Sequence, residues 1–105
     1  MQGLLHMIKK EKSFQIEIVF IAIFSIINAN LQINLSLQVF AQIAMIGVLI
    51  SECINTAVES CVDLITEDFH ALAKIAKDAA SAAVFLSIIS AIFVWLVLFY
   101  KVICG

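Results

Sequence analysis

Four polar residues follow directly on an apolar run: Glu52, Asn55, Glu59 and Asp63. At about 100° per residue of α-helix they fall within an arc of roughly 80°, on one face. The other faces carry Ile50, Cys53, Ile54, Ala57, Val58, Cys61 and Val62. Even a lenient insertion scale puts a carboxylate at the bilayer centre at about 2.5 kcal/mol or more, so such residues are retained where they serve a use. Three acids without a neighbouring arginine repel one another, and a divalent cation or proton uptake would relieve them. Carboxylates spaced by helical turns suit Mg²⁺, which is ordinarily held by one or two carboxylates together with substrate phosphates. Glu11 and Glu17 arrive from another helix, while Lys77 and Asp78 supply a cation for phosphate and one more acid. A metal–phosphate site is therefore expected, against the alternative of a hydrogen-bonded stripe that glues helices together.

No GxxxxGK[ST], GxGxxG, HRD or DFG occurs, so a nucleotide site would have to lack the common phosphate loops. His6 and His70 are the histidines, and His70 is as well suited to a capping role as to a functional one. Cys53, Cys61 and Cys104 show no CxxC or Cys/His ligand spacing and are expected to be buried, inert thiols.

The elements that position these residues are set by hydropathy. Of 105 residues 64% are hydrophobic, and mean hydropathy is +1.13, well above the norm for a water-soluble domain. Proline is absent and glycine occurs only at Gly3, Gly47 and Gly105, which favours long helices. The net charge is −2 and all six basic residues are lysines, which gives no stripe suited to nucleic acid. The chain reads as a single all-α domain, 1–105. A short amphipathic surface helix spans about 1–14, and three membrane helices span about 15–31, 37–65 and 79–103. Ala79 to Tyr100 carries no charge, and its length, about 33 Å as a helix, crosses the hydrocarbon core.

Lys9, Lys10 and Lys12 precede the first span and Lys74 and Lys77 lie between the second and third, whereas the connector Asn28–Ser36 is uncharged. By the positive-inside rule the N-terminus and the carboxylate cluster face the cytoplasm. No A-x-A cleavage site follows the amphipathic start, so the first span is expected to be retained. Small residues at Ala79, Ala80, Ser81, Ala82, Ala83, Ser87, Ser90 and Ala91 suit close helix packing. Phe93, Trp95, Phe99 and Tyr100 lie toward the far end, where an aromatic belt is expected.

Glu52-Cys-Ile-Asn-Thr-Ala-Val-Glu59, followed by Asp63, His70 and Ala76-Lys77-Asp78, resembles the prokaryotic diacylglycerol kinase and undecaprenol kinase family, with its E-x-x-N-[ST]-A-[IV]-E, D-x6-H and A-K-D pattern. Glu11-Lys-Ser-Phe14-Gln-Ile-Glu17 is similar to the family's E-x-x-F-R-x-E, with Gln15 in place of the arginine. The resemblance implies a homotrimeric three-span lipid kinase of the bacterial inner membrane. It would use MgATP to phosphorylate a membrane-borne alcohol, at sites shared between neighbouring chains. By matching motif positions it implies Glu52 as catalytic base and Glu11 and Glu59 as Mg²⁺ ligands. Asn55, Asp68, His70, Lys77 and Asp78 would line the nucleotide site. Ser13, Phe14, Glu17, Ser81 and Trp95, with Glu52, fall at lipid-site positions. The connector Asp63–Lys74 is closer to the undecaprenol branch than to the D-R-I-G-S-E-Y-H-E-L-S of the diacylglycerol branch.

Two other classes compete with a kinase. A transporter or channel subunit would need an ionisable path across the membrane, but Val39 to Ile50 and Val84 to Leu98 have no ionisable group. A structural membrane protein would use the acids only as glue between helices.

Overall fold

The computed structural model describes residues 2–65 and 70–104. It is helical throughout: α1 (Gln2–Lys10), α2 (Lys12–Asn30), α3 (Leu35–Ile65) and α4 (Ala71–Cys104). The last three are long and apolar enough to cross a membrane, and this is a membrane protein. Its longest dimension, 54 Å, exceeds the roughly 30 Å of a hydrocarbon core, so one end of the bundle projects beyond it.

α3 is the central helix. It packs against α2 and, over a longer stretch, against α4, whereas the backbones of α2 and α4 come close at few points and meet through side chains such as Phe24 and Trp95. Asp63 with Lys77 and Met45 with Trp95 lie on one antiparallel register between α3 and α4. On that register Glu52 is level with Ile88, about 16 Å deeper than Lys77 at 1.5 Å per residue.

The tightest packing lies in the half away from the carboxylates. Ala41, Met45, Trp95 and Leu98 are buried there, with Ile21, Phe24, Leu31, Ile33, Leu37 and Val94 against them. Ala41 and Leu98 are fully buried, and alanine's small side chain permits that approach of α3 to α4. Of the small residues that begin the uncharged stretch of α4, only Ala80 is buried within the chain.

A bundle this thin leaves most of each helix facing outward, and large residues such as Phe20, Ile26, Phe40, Phe85 and Phe93 are exposed to the surroundings. The same thinness corrects the expectation of buried thiols. Cys53 is half-buried, but Cys61 and Cys104 are exposed, and all three are free.

Amides fasten the turn between α2 and α3. Asn28 Nδ2 donates to the Gln38 carbonyl at 2.9 Å. Gln38 Nε2 donates in return to the carbonyls of Asn28 at 2.7 Å and Leu31 at 2.8 Å. One turn deeper, Gln42 Nε2 donates to Ser25 Oγ at 2.8 Å. The Gln38 bonds satisfy carbonyls left over at the end of α2 in a medium that offers few other donors. Gln38→Leu is expected to lower stability by about 1–2 kcal/mol, the range for interhelical hydrogen bonds in membranes. Adding Asn28→Leu removes the other amide's bond, to the Gln38 backbone carbonyl; because both side chains close the same turn, this second loss should be smaller than the first. Unfolding in mixed micelles measures both, and strictly additive losses would show that the clamp is not a unit.

Candidate functional site

α3 carries Glu52, Asn55, Glu59 and Asp63 in one row, with α2 reaching it at Glu17 and α4 at Lys77. At the deep end of the row, the carboxyls of Glu52 and Glu17 come within hydrogen-bonding reach of each other. Neither can donate when both are ionised, so the contact holds only with a proton or a cation between them. At the shallow end, Lys77 Nζ donates to Asp63 Oδ1 at 2.7 Å, and Lys74 Nζ to Asp78 Oδ2 at 2.7 Å. Both pairs are solvent-exposed and bind weakly, so Lys77 and Asp78 are easily drawn away by a phosphate or a metal. Between the two ends, Asn55 Nδ2 lies 3.3 Å from Glu59 Oε1, a long contact for an exposed carboxylate.

Glu17 Oε2 and Asn55 Oδ1 are buried oxygens without a hydrogen-bond partner among the described residues. An orphaned buried acceptor is costly unless a donor or cation is supplied from outside. Asn55 Oδ1 and the neighbouring Glu59 carboxylate are hard donors of the type Mg²⁺ takes, so these residues fit that ion. No three histidine, cysteine, aspartate or glutamate side chains gather tightly enough within the described residues of one chain to hold a metal ion unaided.

Because the backbones of α2 and α4 come close at few points, a groove remains between them, floored by α3. Glu17, Phe20, Ile21 and Phe24 form one wall, Ile88, Ala91, Ile92, Trp95 and Phe99 the other, and Met45 and Val48 the floor. The α2 positions recur at three- and four-residue steps, as do the α4 positions, so each wall is one face of a helix. The cavity measures about 490 Å³. From Ile88 to Phe99 it runs roughly 16 Å along the helix axis. Glu17 is its one charged lining residue and places a carboxyl at its polar end, beside Glu52.

Trp95 lines this groove. It is buried, with its ring centroid 5.1 Å from that of Phe24 and 5.6 Å from that of Phe99. The aromatic-belt expectation is thus corrected for Trp95, which faces inward, whereas Phe93 and Tyr100 remain exposed. The Trp95 indole Nε1 is buried with no acceptor among the described residues.

Other expected site residues lie apart from this row. Ser81 is exposed on α4, although on the α3–α4 register it is level with Glu59. Ser13 is exposed and Phe14 buried at the start of α2. No ion pair or side-chain hydrogen bond joins Glu11 to α3 among the described residues; Glu11 is the hinge between α1 and α2. His70 precedes α4 and caps it, its Nδ1 accepting from the Leu72 N–H at 3.2 Å. That bond leaves the proton of a neutral ring on Nε2. Asp68 lies outside the described residues.

The groove was not foreseen, because α2 and α4 are apolar on every side and no single face stands out in their sequences. A profile described as prokaryotic diacylglycerol kinase matches residues 1–99. This chain belongs to the prokaryotic diacylglycerol kinase family. Diacylglycerol kinase of Escherichia coli (strain K12) is 33% identical over 91 residues, which is 87% of this chain and 75% of that protein. Diacylglycerol kinase of Synechocystis is 54% identical over 48 residues, 45% of this chain and 27% of that one. Undecaprenol kinase of Bacillus subtilis is 58% identical over 38 residues, 36% of this chain and 31% of that one. Membership in the prokaryotic diacylglycerol kinase family makes the chain an enzyme of the lipid-kinase class. The structural-glue and channel alternatives are thereby set aside.

Proposed function

We propose that the chain phosphorylates a membrane lipid alcohol with MgATP, its hydrocarbon tail in the α2–α4 groove and its hydroxyl at Glu52. The observation that carries this reading is the pairing of an apolar groove with two carboxyls at its polar end. The tail contributes burial, and the only polar group of a polyprenol or diglyceride headgroup that must react is held at the carboxyls. Glu52 accepts the hydroxyl proton as the lipid oxygen attacks the γ-phosphorus; the bond to the ADP oxygen breaks and the lipid monophosphate departs. Glu59 and Glu11 are the residues that would hold Mg²⁺, with the remaining ligands coming from the phosphates. When bound, the ion neutralises phosphate charge that a glycine-rich loop neutralises in other kinases. Lys77, Asn55, Asp78 and the Nε2–H of His70 contact the nucleotide, and the lysine exchanges Asp63 for phosphate.

The sites are shared in a homotrimer. The apolar outer faces of the helices support this arrangement. The cluster faces the cytoplasm, where ATP is found, in keeping with the lysines beside it.

Undecaprenol is the acceptor favoured by the connector Asp63–Lys74, which would place the enzyme in cell-envelope lipid recycling. Diacylglycerol is the second reading, and the unpartnered Trp95 Nε1 favours it, because an ester carbonyl would satisfy that donor where a polyprenol chain offers none. Transfer of labelled phosphate from ATP is to be measured in mixed micelles with both lipids side by side. The expected result is Mg²⁺-dependent product with one lipid well above the other. No product with either would defeat the proposal.

A further inference from the structure

The Gln15 side chain crosses the elbow between α1 and α2. Its Nε2 donates to the Ile8 carbonyl at 2.7 Å and to the Lys9 carbonyl at 3.1 Å. Those carbonyls belong to the last turn of α1, where a helix has no further N–H groups to offer. Glu11 is the residue at which the chain turns, with φ −93° and ψ 104°. Its N–H still donates to the Met7 carbonyl at 3.2 Å, as part of α1, while its carbonyl accepts from the Gln15 N–H at 3.1 Å, as part of α2. Glu11 is therefore held by one helix on each side, and the angle between them sets where its carboxylate points. Apart from buried Met7 and Phe14, the Gln15 amide is what fastens that angle.

We infer that Gln15 is a positioning residue, a latch across the α1–α2 elbow that fixes the Glu11 carboxylate for the metal–nucleotide site. The link to metal rests on the functional reading above; the latch itself does not. A short interfacial helix tied at one end by backbone alone would swing, and its acid would meet the metal only part of the time. The position requires a donor that reaches two carbonyls, which glutamine and arginine both provide and an apolar residue of the same length does not.

The test uses the full chain in nanodiscs with Gln15→Met, which keeps length and helix propensity but has no donor, and Gln15→Arg, which restores donors. Two quantities are measured: amide hydrogen exchange over residues 2–10 and the Mg²⁺ concentration for half-maximal phosphate transfer. Gln15→Met is expected to speed exchange about fivefold or more, as loss of such hydrogen bonds should. It should also raise the Mg²⁺ midpoint about fivefold while leaving the lipid KM near wild type, and Gln15→Arg should return both quantities toward wild type. Unchanged exchange in Gln15→Met overturns the latch. Faster exchange with an unmoved Mg²⁺ midpoint overturns its role in positioning Glu11. An inactive wild type with the exchange difference intact would sink the kinase reading and leave the latch standing.

Discussion

Glu52→Gln is expected to lower phosphate transfer about 10²- to 10⁴-fold, the range for losing a general base, without lowering the stability of the protein. The amide keeps the size of the side chain but cannot accept the hydroxyl proton. It also changes the contact with Glu17: two carboxyls that need a proton or cation between them become a carboxylate facing an amide donor. A catalytic role and a structural one therefore predict opposite pairs of results. A base predicts a collapse of kcat with unfolding in micelles unchanged or shifted toward greater stability. A structural strut predicts weaker folding with kcat reduced only as far as folded protein is lost. The KM for lipid should move little, because the groove from Phe20 to Phe99 proposed to take the tail is untouched. Activity within about tenfold of wild type would remove Glu52 from the proton transfer.

The helices were legible from hydropathy because hydrocarbon admits few alternatives for a spanning chain. The polar face of α3 was legible because acids are rare against an apolar background, so their angular spacing stands out. Two features were not. The break at Glu11 carries no glycine or proline, and α2 begins at Lys12, before the expected start of the first span; the chain turns in the Glu11 backbone, with the Gln15 side chain folded back on the preceding helix. The groove was hidden for the opposite reason. On α2 and α4 groove-lining and lipid-facing residues are chemically alike, so only the packing of both helices on α3 distinguishes Phe24 and Trp95 from Phe93. Trp95 shows the consequence: by composition and position it belongs to an aromatic belt, and by contact it belongs to the groove. His70 was left open between two roles, and one ring nitrogen does cap α4, while the other has no partner among the described residues and is the one proposed to contact the nucleotide.

Glu59→Gln is expected to raise the Mg²⁺ needed for half-maximal turnover at least about tenfold, or to abolish turnover at accessible Mg²⁺, while the proposed trimer survives. Glu59 is exposed near the open end of the row and, among the described residues, has only the long 3.3 Å contact from Asn55. Glutamine reproduces an acceptor oxygen for that contact, so packing and helix propensity barely change. The lost item is one negative charge opposite a divalent ion, and each 1.4 kcal/mol removed from binding corresponds to about a tenfold weaker site. Lys77 sharpens the reading. It sits on Asp63 at 2.7 Å, on the same side of α3, and with the Glu59 charge gone its field would weaken cation binding further. If Glu59 instead served to glue helices, the variant would unfold more easily and its Mg²⁺ midpoint would stay where it was. Titrating MgATP at fixed lipid, with cross-linking to follow assembly, separates the two outcomes. An unmoved midpoint with assembly intact would take Glu59 out of the metal site and leave Mg²⁺ to the phosphates, Glu11 and the orphaned oxygen of Asn55.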